Sequence, residues 1–366
     1  MEKLKVFLKK EPVLSIAAVL AIVSAFLVPP SAGYIEYMDF RVLALLFCLM
    51  AVVAGFIKAG LFDWISQKLL SKTDGVKAVS IILMNLCFFS AMLVTNDVAL
   101  LTFVPLTLAI LGALPASELI FVLVMETIAA NLGSMATPVG NPQNLYLYSR
   151  YAVSLPEFFA TLAPLTVLSW VLIMAVMLLR KGSAQKLVYD KESPELSGKM
   201  MLFLAVLFLL CIATVVHLVP YQLTLAVVAA FLLTDKSILG KVDYTLLLTF
   251  VCFFIFVGNM GELSAVRGLV SSLLEGREML VSALISQVIS NVPAALMLSG
   301  FTENGSALLI GTNLGGLGTL WASLASLITF KLYSRHEGAS AGKFLLQFSL
   351  WNFAFLAVLL AICMVF

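Results

Sequence analysis

The chain is 366 residues long, 62% hydrophobic and only 11% charged, with a mean hydropathy of +1.08, whereas about a quarter of a soluble domain is charged; lipid is its solvent. A formal net charge of +2 with no block of like charges leaves no surface for nucleic acid, and two histidines exclude a zinc site of the usual kind. The five cysteines, Cys48, Cys87, Cys211, Cys252 and Cys363, lie singly in apolar runs without CxxC spacing, so they read as small core residues rather than disulfides or metal ligands.

A membrane-crossing helix needs about 20 mostly apolar residues to traverse roughly 30 Å of hydrocarbon. Plain runs of this kind fall at 13–29, 41–59, 158–180, 200–219, 221–235, 243–260 and 344–366, of which 221–235 is short. The first follows Lys3, Lys5, Lys9 and Lys10 and precedes Ser31-Ala32-Gly33. That pattern is compatible with a cleaved signal peptide, but in so apolar a chain an uncleaved first span is the better reading. The other apolar runs are interrupted. Residues 77–112 and 279–301 each contain a polar tip, which makes helical hairpins, and 118–149 and 306–333 each carry a Gly- and Asn-rich break in mid-membrane. An amphipathic stretch precedes each tip, at 61–70 and 262–274. The polar segment 181–199 is the one linker and divides a first unit, 1–180, from a second, 200–366.

If each hairpin returns to its own side and each broken helix crosses once, the chain makes nine crossings. All of the 22 Lys and Arg residues except Arg41, Arg150, Arg267 and Arg277 then share the side of the amino terminus, which the positive-inside rule assigns to the cytoplasm. The expectation is an all-α polytopic protein of a bacterial or archaeal inner membrane, with its amino terminus and linker cytoplasmic and its carboxyl terminus outside.

The two units carry matching motifs. The tips read Thr95-Asn96-Asp97-Val98-Ala99 and Ser290-Asn291-Val292-Pro293-Ala294; the breaks read Asn131-Leu132-Gly133-Ser134-Met135-Ala136-Thr137 and Asn313-Leu314-Gly315-Gly316-Leu317-Gly318-Thr319. The topology runs the copies through the membrane in opposite senses, as in the inverted repeats of secondary transporters, whose sites lie near the midplane at discontinuous helices. A broken helix frees backbone N–H and C=O groups that hydrocarbon cannot satisfy. Freed helix N-termini favour anions and freed carbonyls favour Na⁺ or another cation. The candidate substrate and ion ligands are therefore Thr95, Asn96, Asp97, Asn131, Gly133, Ser134, Thr137, Asn141, Asn144, Ser290, Asn291, Asn313, Gly315 and Thr319. Helix gluing by small and polar residues explains one such cluster but not four paired ones.

At these residues the chain resembles the ion transporter superfamily, which contains citrate-transporter-like permeases, divalent anion/sodium symporters, arsenite permeases and NhaD-type sodium/proton antiporters. Thr95-Asn96-Asp97, with Ala99-Leu100-Leu101 and Pro105, is similar to the first hairpin of the arsenite permease branch, and Asn291-Val292-Pro293 to its second. Gly311-Thr312-Asn313-Leu314-Gly315 followed by Ser323-Leu324-Ala325-Ser326-Leu327 resembles that branch's last broken helix. Thr137-Pro138-Val139-Gly140-Asn141-Pro142-Gln143-Asn144 instead resembles the Gly-x-Pro-x-Asn signature of the symporter branch. Dicarboxylate symporters carry Ser-Asn-Thr at both tips; here both terminal hydroxyls are absent, and the added carboxylate of Asp97 favours a cation or proton role. The resemblance implies a homodimer with an elevator-like motion of the hairpins.

By these spans only Asp97 and Glu126 are ionisable within the membrane, and such residues are functional by default. Asp97 reads either as an ion- or proton-coupling group or as the N-cap of a limb starting at Val98. Glu126, about 140° around the helix from Asn131, is a proton carrier or a neutral acid bonded to a neighbouring helix. Tyr146, Tyr148 and Tyr151 read as interface anchors, and His217 as a satisfied interfacial histidine. A secondary transporter moving a small anion with Na⁺ or H⁺ is the favoured function. Arsenite-type efflux and sodium/proton exchange are its alternatives, an ion channel is the competing class, and a lone Asp argues against an intramembrane aspartyl protease. Neither a cofactor nor a metal beyond transported Na⁺ is expected.

Overall fold

The computed structural model describes residues 11–71, 73, 75–180 and 195–365; Lys3, Lys5, Lys9, Lys10, Lys72 and residues 181–194 of the expected linker lie outside them. The first unit consists of α1 (Pro12–Leu27), the single turn α2 (Gly33–Glu36), α3 (Phe40–Lys58), the amphipathic α4 (Leu61–Leu70), the hairpin α5 (Val76–Val94) and α6 (Asn96–Leu111), the broken pair α7 (Ala116–Ser134) and α8 (Pro142–Arg150), and α9 (Leu155–Leu179). The second consists of α10 (Gly198–Val215), α11 (Thr224–Thr234), α12 (Tyr244–Glu262), the amphipathic α13 (Ser264–Leu274), the hairpin α14 (Glu278–Ile289) and α15 (Asn291–Leu298), the broken pair α16 (Gly305–Leu314) and α17 (Leu324–Tyr333), and α18 (Ala341–Val365). From α3 and α12 onward the order is the same.

Among the described residues, seven helices, α3, α5, α7, α9, α10, α12 and α18, are long and apolar enough to cross a membrane. Large apolar side chains such as Phe26, Leu179, Leu233 and Val288 stand exposed on the outer surface, as a lipid-facing surface requires. The all-helical polytopic fold is thus as expected. The hairpins differ in reach: α5 has 19 residues, about 28 Å at 1.5 Å per residue, whereas α14 has 12, about 18 Å. Helix starts use short polar caps. Asp39, Ser154, Asp243 and Asn304 accept from the backbone N–H three residues on, at 2.9, 3.3, 3.0 and 3.1 Å, which satisfies donors that lipid cannot.

The units are interlaced rather than stacked side by side. One core gathers α5, α6 and α7 with Leu314, Ala325, Tyr333 and Phe348 of the second unit. The other gathers α3, α10 and α12 with α8, α15 and α16. Each broken helix therefore starts against its own hairpin and ends against the other unit's: α17 packs on α6, and α8 on α15. At the middle lies α7, buried at every residue from Leu119 to Ser134, which explains how a helix bearing Glu126, Thr127, Asn131 and Ser134 avoids hydrocarbon.

Candidate substrate and ion site

Both hairpin tips turn through the same rare backbone conformation. Thr95 sits at φ 76°, ψ 150° and Ser290 at φ 79°, ψ 154°, a region populated almost only by glycine and costing about 1–3 kcal/mol. The asparagine after each begins the return limb, and its Oδ1 accepts from the next backbone N–H, that of Asp97 or Val292, at 3.0 Å in both. Because α6 starts at Asn96 with Thr95 as its cap, Asp97 is not the N-cap that one reading made it. It lies in the first turn, and its Oδ1 is buried without a partner among the described residues.

Each break is tied to its own tip in the same manner. Thr137 Oγ1 donates to the carbonyl of Met92, three residues before Thr95; Thr319 Oγ1 donates at 2.7 Å to that of Gln287, three residues before Ser290. These carbonyls end a limb helix and have lost their helical partners. Close approach is enforced by glycine: a Cβ at Gly133 would lie 2.2 Å from the Phe88 carbonyl oxygen, and one at Gly140 2.0 Å from that of Ser134. Gly315 likewise backs onto Ser286 of α14.

The breaks also meet each other, reciprocally. Asn131 Oδ1 accepts from Ser323 Oγ at 3.0 Å, and Asn313 Oδ1 accepts from Asn141 Nδ2 at 2.9 Å. Ser323 immediately precedes α17 as Asn141 precedes α8, and each stands ten residues after its own unit's asparagine. Residue i of one unit meeting j of the other, while j meets i, is the signature of a two-fold relation. Around this pair, Asn131 Oδ1 accepts from Asn96 Nδ2 at 2.9 Å and its Nδ2 donates to Gly316 O at 3.4 Å. Asn313 Nδ2 donates to Asn144 Oδ1 at 2.6 Å, Asn141 Nδ2 reaches Ser134 Oγ at 3.0 Å, and Asn144 Nδ2 caps Thr137 O at 3.1 Å. Asn291 donates its backbone N–H to Ala322 O at 2.9 Å. Asn96, Asn131, Ser134, Asn141, Asn144, Asn291 and Asn313 thus gather where α6, α8, α15 and α17 all begin, with Thr95, Asp97 and Ser290 at the tips and Gly133, Thr137, Gly315 and Thr319 against the hairpin limbs.

Two further residues take part that the sequence does not single out. Ser323 shows there only within the run Ser323-Leu324-Ala325-Ser326-Leu327. Gln287 holds the second break open: Nε2 donates to Gly315 O at 3.1 Å and Leu317 O at 2.9 Å, while Oε1 accepts from Thr319 N at 2.9 Å. Gly318, at φ +103°, makes room for it. Glu126 stands apart, accepting from Thr107 Oγ1 of α6 at 2.5 Å, with its Oε2 buried and without a partner among the described residues. Tyr146 and Tyr148 are buried rather than interfacial; the Tyr146 hydroxyl pairs with Ser299 Oγ at 2.7 Å, because α8 dips back into the protein after its break. His217 adopts φ 63° and packs on Tyr148, ring centroids 6.0 Å apart.

Comparison with known proteins gives a family match. A family model described as citrate transporter matches residues 4–304. An uncharacterized transporter of Methanocaldococcus jannaschii, MJ0456, is 32% identical over 332 residues, 90% of each chain. The Escherichia coli inner membrane protein YbiR is 30% identical over 300 residues, 80% of each chain. The mouse P protein is 30% identical over 174 residues, 46% of this chain and 20% of its own.

Proposed function

The chain belongs to the citrate transporter family and is a membrane transporter; from that premise we propose that it is a secondary active transporter moving a small anion, a carboxylate or an inorganic oxyanion, coupled to Na⁺ or H⁺. The observation that carries this reading is the reciprocal meeting of the breaks, where Asn131 and Asn313 each accept from the residue that opens the opposite unit's half-helix. Four helix N-termini face that place, and their partial positive charge suits an anion although no Lys or Arg is among the candidate residues. Amide and hydroxyl oxygens of Asn96, Asn291, Thr95 and Ser290 suit a small cation. A site shared by two units related by a two-fold can be uncovered from either side in turn, the geometry of alternating access. The amino terminus is cytoplasmic in this reading and the carboxyl terminus outside.

Sodium/proton exchange is the second reading, favoured by the buried, unpartnered Oδ1 of Asp97. A thermal-shift screen of the purified protein across Na⁺, pH, carboxylates and oxyanions separates the two, since a ligand that prefers the native state raises its stability. Proteoliposomes then decide the class. Saturable flux stimulated by substrate on the opposite side is expected; flux linear in concentration without countertransport would mean a channel.

A further inference from the structure

Four basic residues were expected on the outer face, and three of them, Arg41, Arg150 and Arg267, line one cavity of about 690 Å³. Glu36, Asp39 and Glu262 share its wall, yet among the described residues the one ion pair is Lys58 with Asp235. The six charged residues line a common space without an ion pair among them. Arg41 is already fixed by an Nη2 bond of 2.7 Å to Thr214 O at the end of α10, and its buried Nε has no acceptor among the described residues; a buried donor calls for one. Asp39 is engaged in capping α3, with Val42 N at 2.9 Å. Arg150 and Arg267 are exposed residues, and the Arg150 guanidinium lies 5.6 Å from the Tyr151 ring.

A short element joins the cavity to the asparagine cluster. Arg150 ends α8, a helix of 9 residues, so it stands about 13 Å from the α8 N-terminus. Tyr146, one turn before it, lines the same cavity and bonds to Ser299 at the end of α15. Planar guanidinium forks match carboxylates and oxyanions, which accept two parallel N–H bonds.

We propose that this cavity is an outer binding site for a small soluble anion, a carboxylate or inorganic oxyanion, held by Arg41, Arg150 and Arg267 before it passes to the asparagine cluster. Glu36 and Glu262 balance the arginines and keep the hold weak, and a site on a conduction path must release what it captures. The proposal rests on the anion-transport reading and its outward orientation. The same chemistry would also accept the phosphate of a lipid headgroup.

The full-length protein in phosphatidylcholine nanodiscs is titrated with radiolabelled citrate and, separately, with inorganic phosphate. An Asn96→Ala/Asn291→Ala variant, disabled at the central site, should retain one saturable class of binding for at least one probe. Adding Arg150→Gln and Arg267→Gln should weaken that class at least tenfold, the paired Lys replacements should weaken it less, and Arg335→Gln should leave it within twofold. Absence of saturable binding of both probes would overturn the proposal, as would affinity within twofold after both Gln changes or an equal loss in Arg335→Gln. Displacement of the probe by phosphatidylglycerol would also overturn it, assigning the cavity to a lipid. Failure of both probes to be transported, with binding intact, would instead refute the transport reading.

Discussion

Asn131→Ala removes three bonds between elements: from Asn96 Nδ2 at 2.9 Å, from Ser323 Oγ at 3.0 Å and to Gly316 O at 3.4 Å. Hydrogen bonds between helices in a bilayer contribute about 0.6 kcal/mol each, because unfolded segments find other partners. The loss should therefore be about 2 kcal/mol, accompanied by loss of transport. The coupling between residues is more telling than the loss. A double-mutant cycle with Ser323→Ala should return about 0.6 kcal/mol and no more than about 1.7 kcal/mol. The mirror cycle of Asn141→Ala with Asn313→Ala should return the same sign and a similar size, since its bond is 2.9 Å against 3.0 Å. Both are measured by unfolding in sodium dodecyl sulfate mixed micelles, followed by tryptophan fluorescence. A coupling of about zero in either cycle would refute the argument that the units meet as equivalents.

Asp97→Asn should melt like the native protein and lose the Na⁺ or H⁺ dependence of transport; unchanged cation dependence in proteoliposomes would move coupling to Glu126 or to the break carbonyls. Gly133→Ala and Gly140→Ala place a Cβ 2.2 and 2.0 Å from a backbone oxygen, so each should cost about 1–3 kcal/mol or more. Gly342→Ala, which meets nothing within 4 Å, should be neutral or stabilising in the same melting assay. A cysteine at the exposed position 303, in a variant lacking native cysteines, should react with an impermeant thiol reagent from outside only; labelling from the cytoplasm alone would reverse the topology.

The long helices, tips and breaks were legible because lipid punishes charge and rewards length, so hydropathy reports them directly. The convergence of Asn96, Asn131, Asn141 and Asn313 was legible because freed backbone groups must find partners. The exchange of half-helices was harder, since which hairpin receives α8 or α17 is decided by packing and not by polarity. One signal for it was present: Ser323 follows Asn313 by ten residues, as Asn141 follows Asn131. The chemical difference between serine and asparagine concealed that equivalence. Gln287 left no such trace, because its counterpart three residues before the first tip is Met92. Tyr146 and Tyr148 were misplaced because aromatic girdles and aromatic cores look alike until the course of α8 after its break is known.

The enclosure of α7 has a consequence for biogenesis. In the finished protein residues 119–134 of this helix are enclosed by protein, yet it must leave the translocon as every other span does, and it is the least hydropathic of the seven long helices. An acidic residue at a helix centre opposes insertion, so α7, which carries Glu126, is a poor candidate for release into lipid by itself. Synthesis order relieves this, because α5 and α6 emerge first and already carry the Phe88 backbone that receives Gly133 and the Thr107 hydroxyl that receives Glu126. A nascent chain arrested after α6 should hold a docking groove, and moving α7 ahead of its hairpin should strand it. The other surface of α6 waits much longer, until α17 emerges and takes its seat there, so the membrane domain closes only when translation is nearly over.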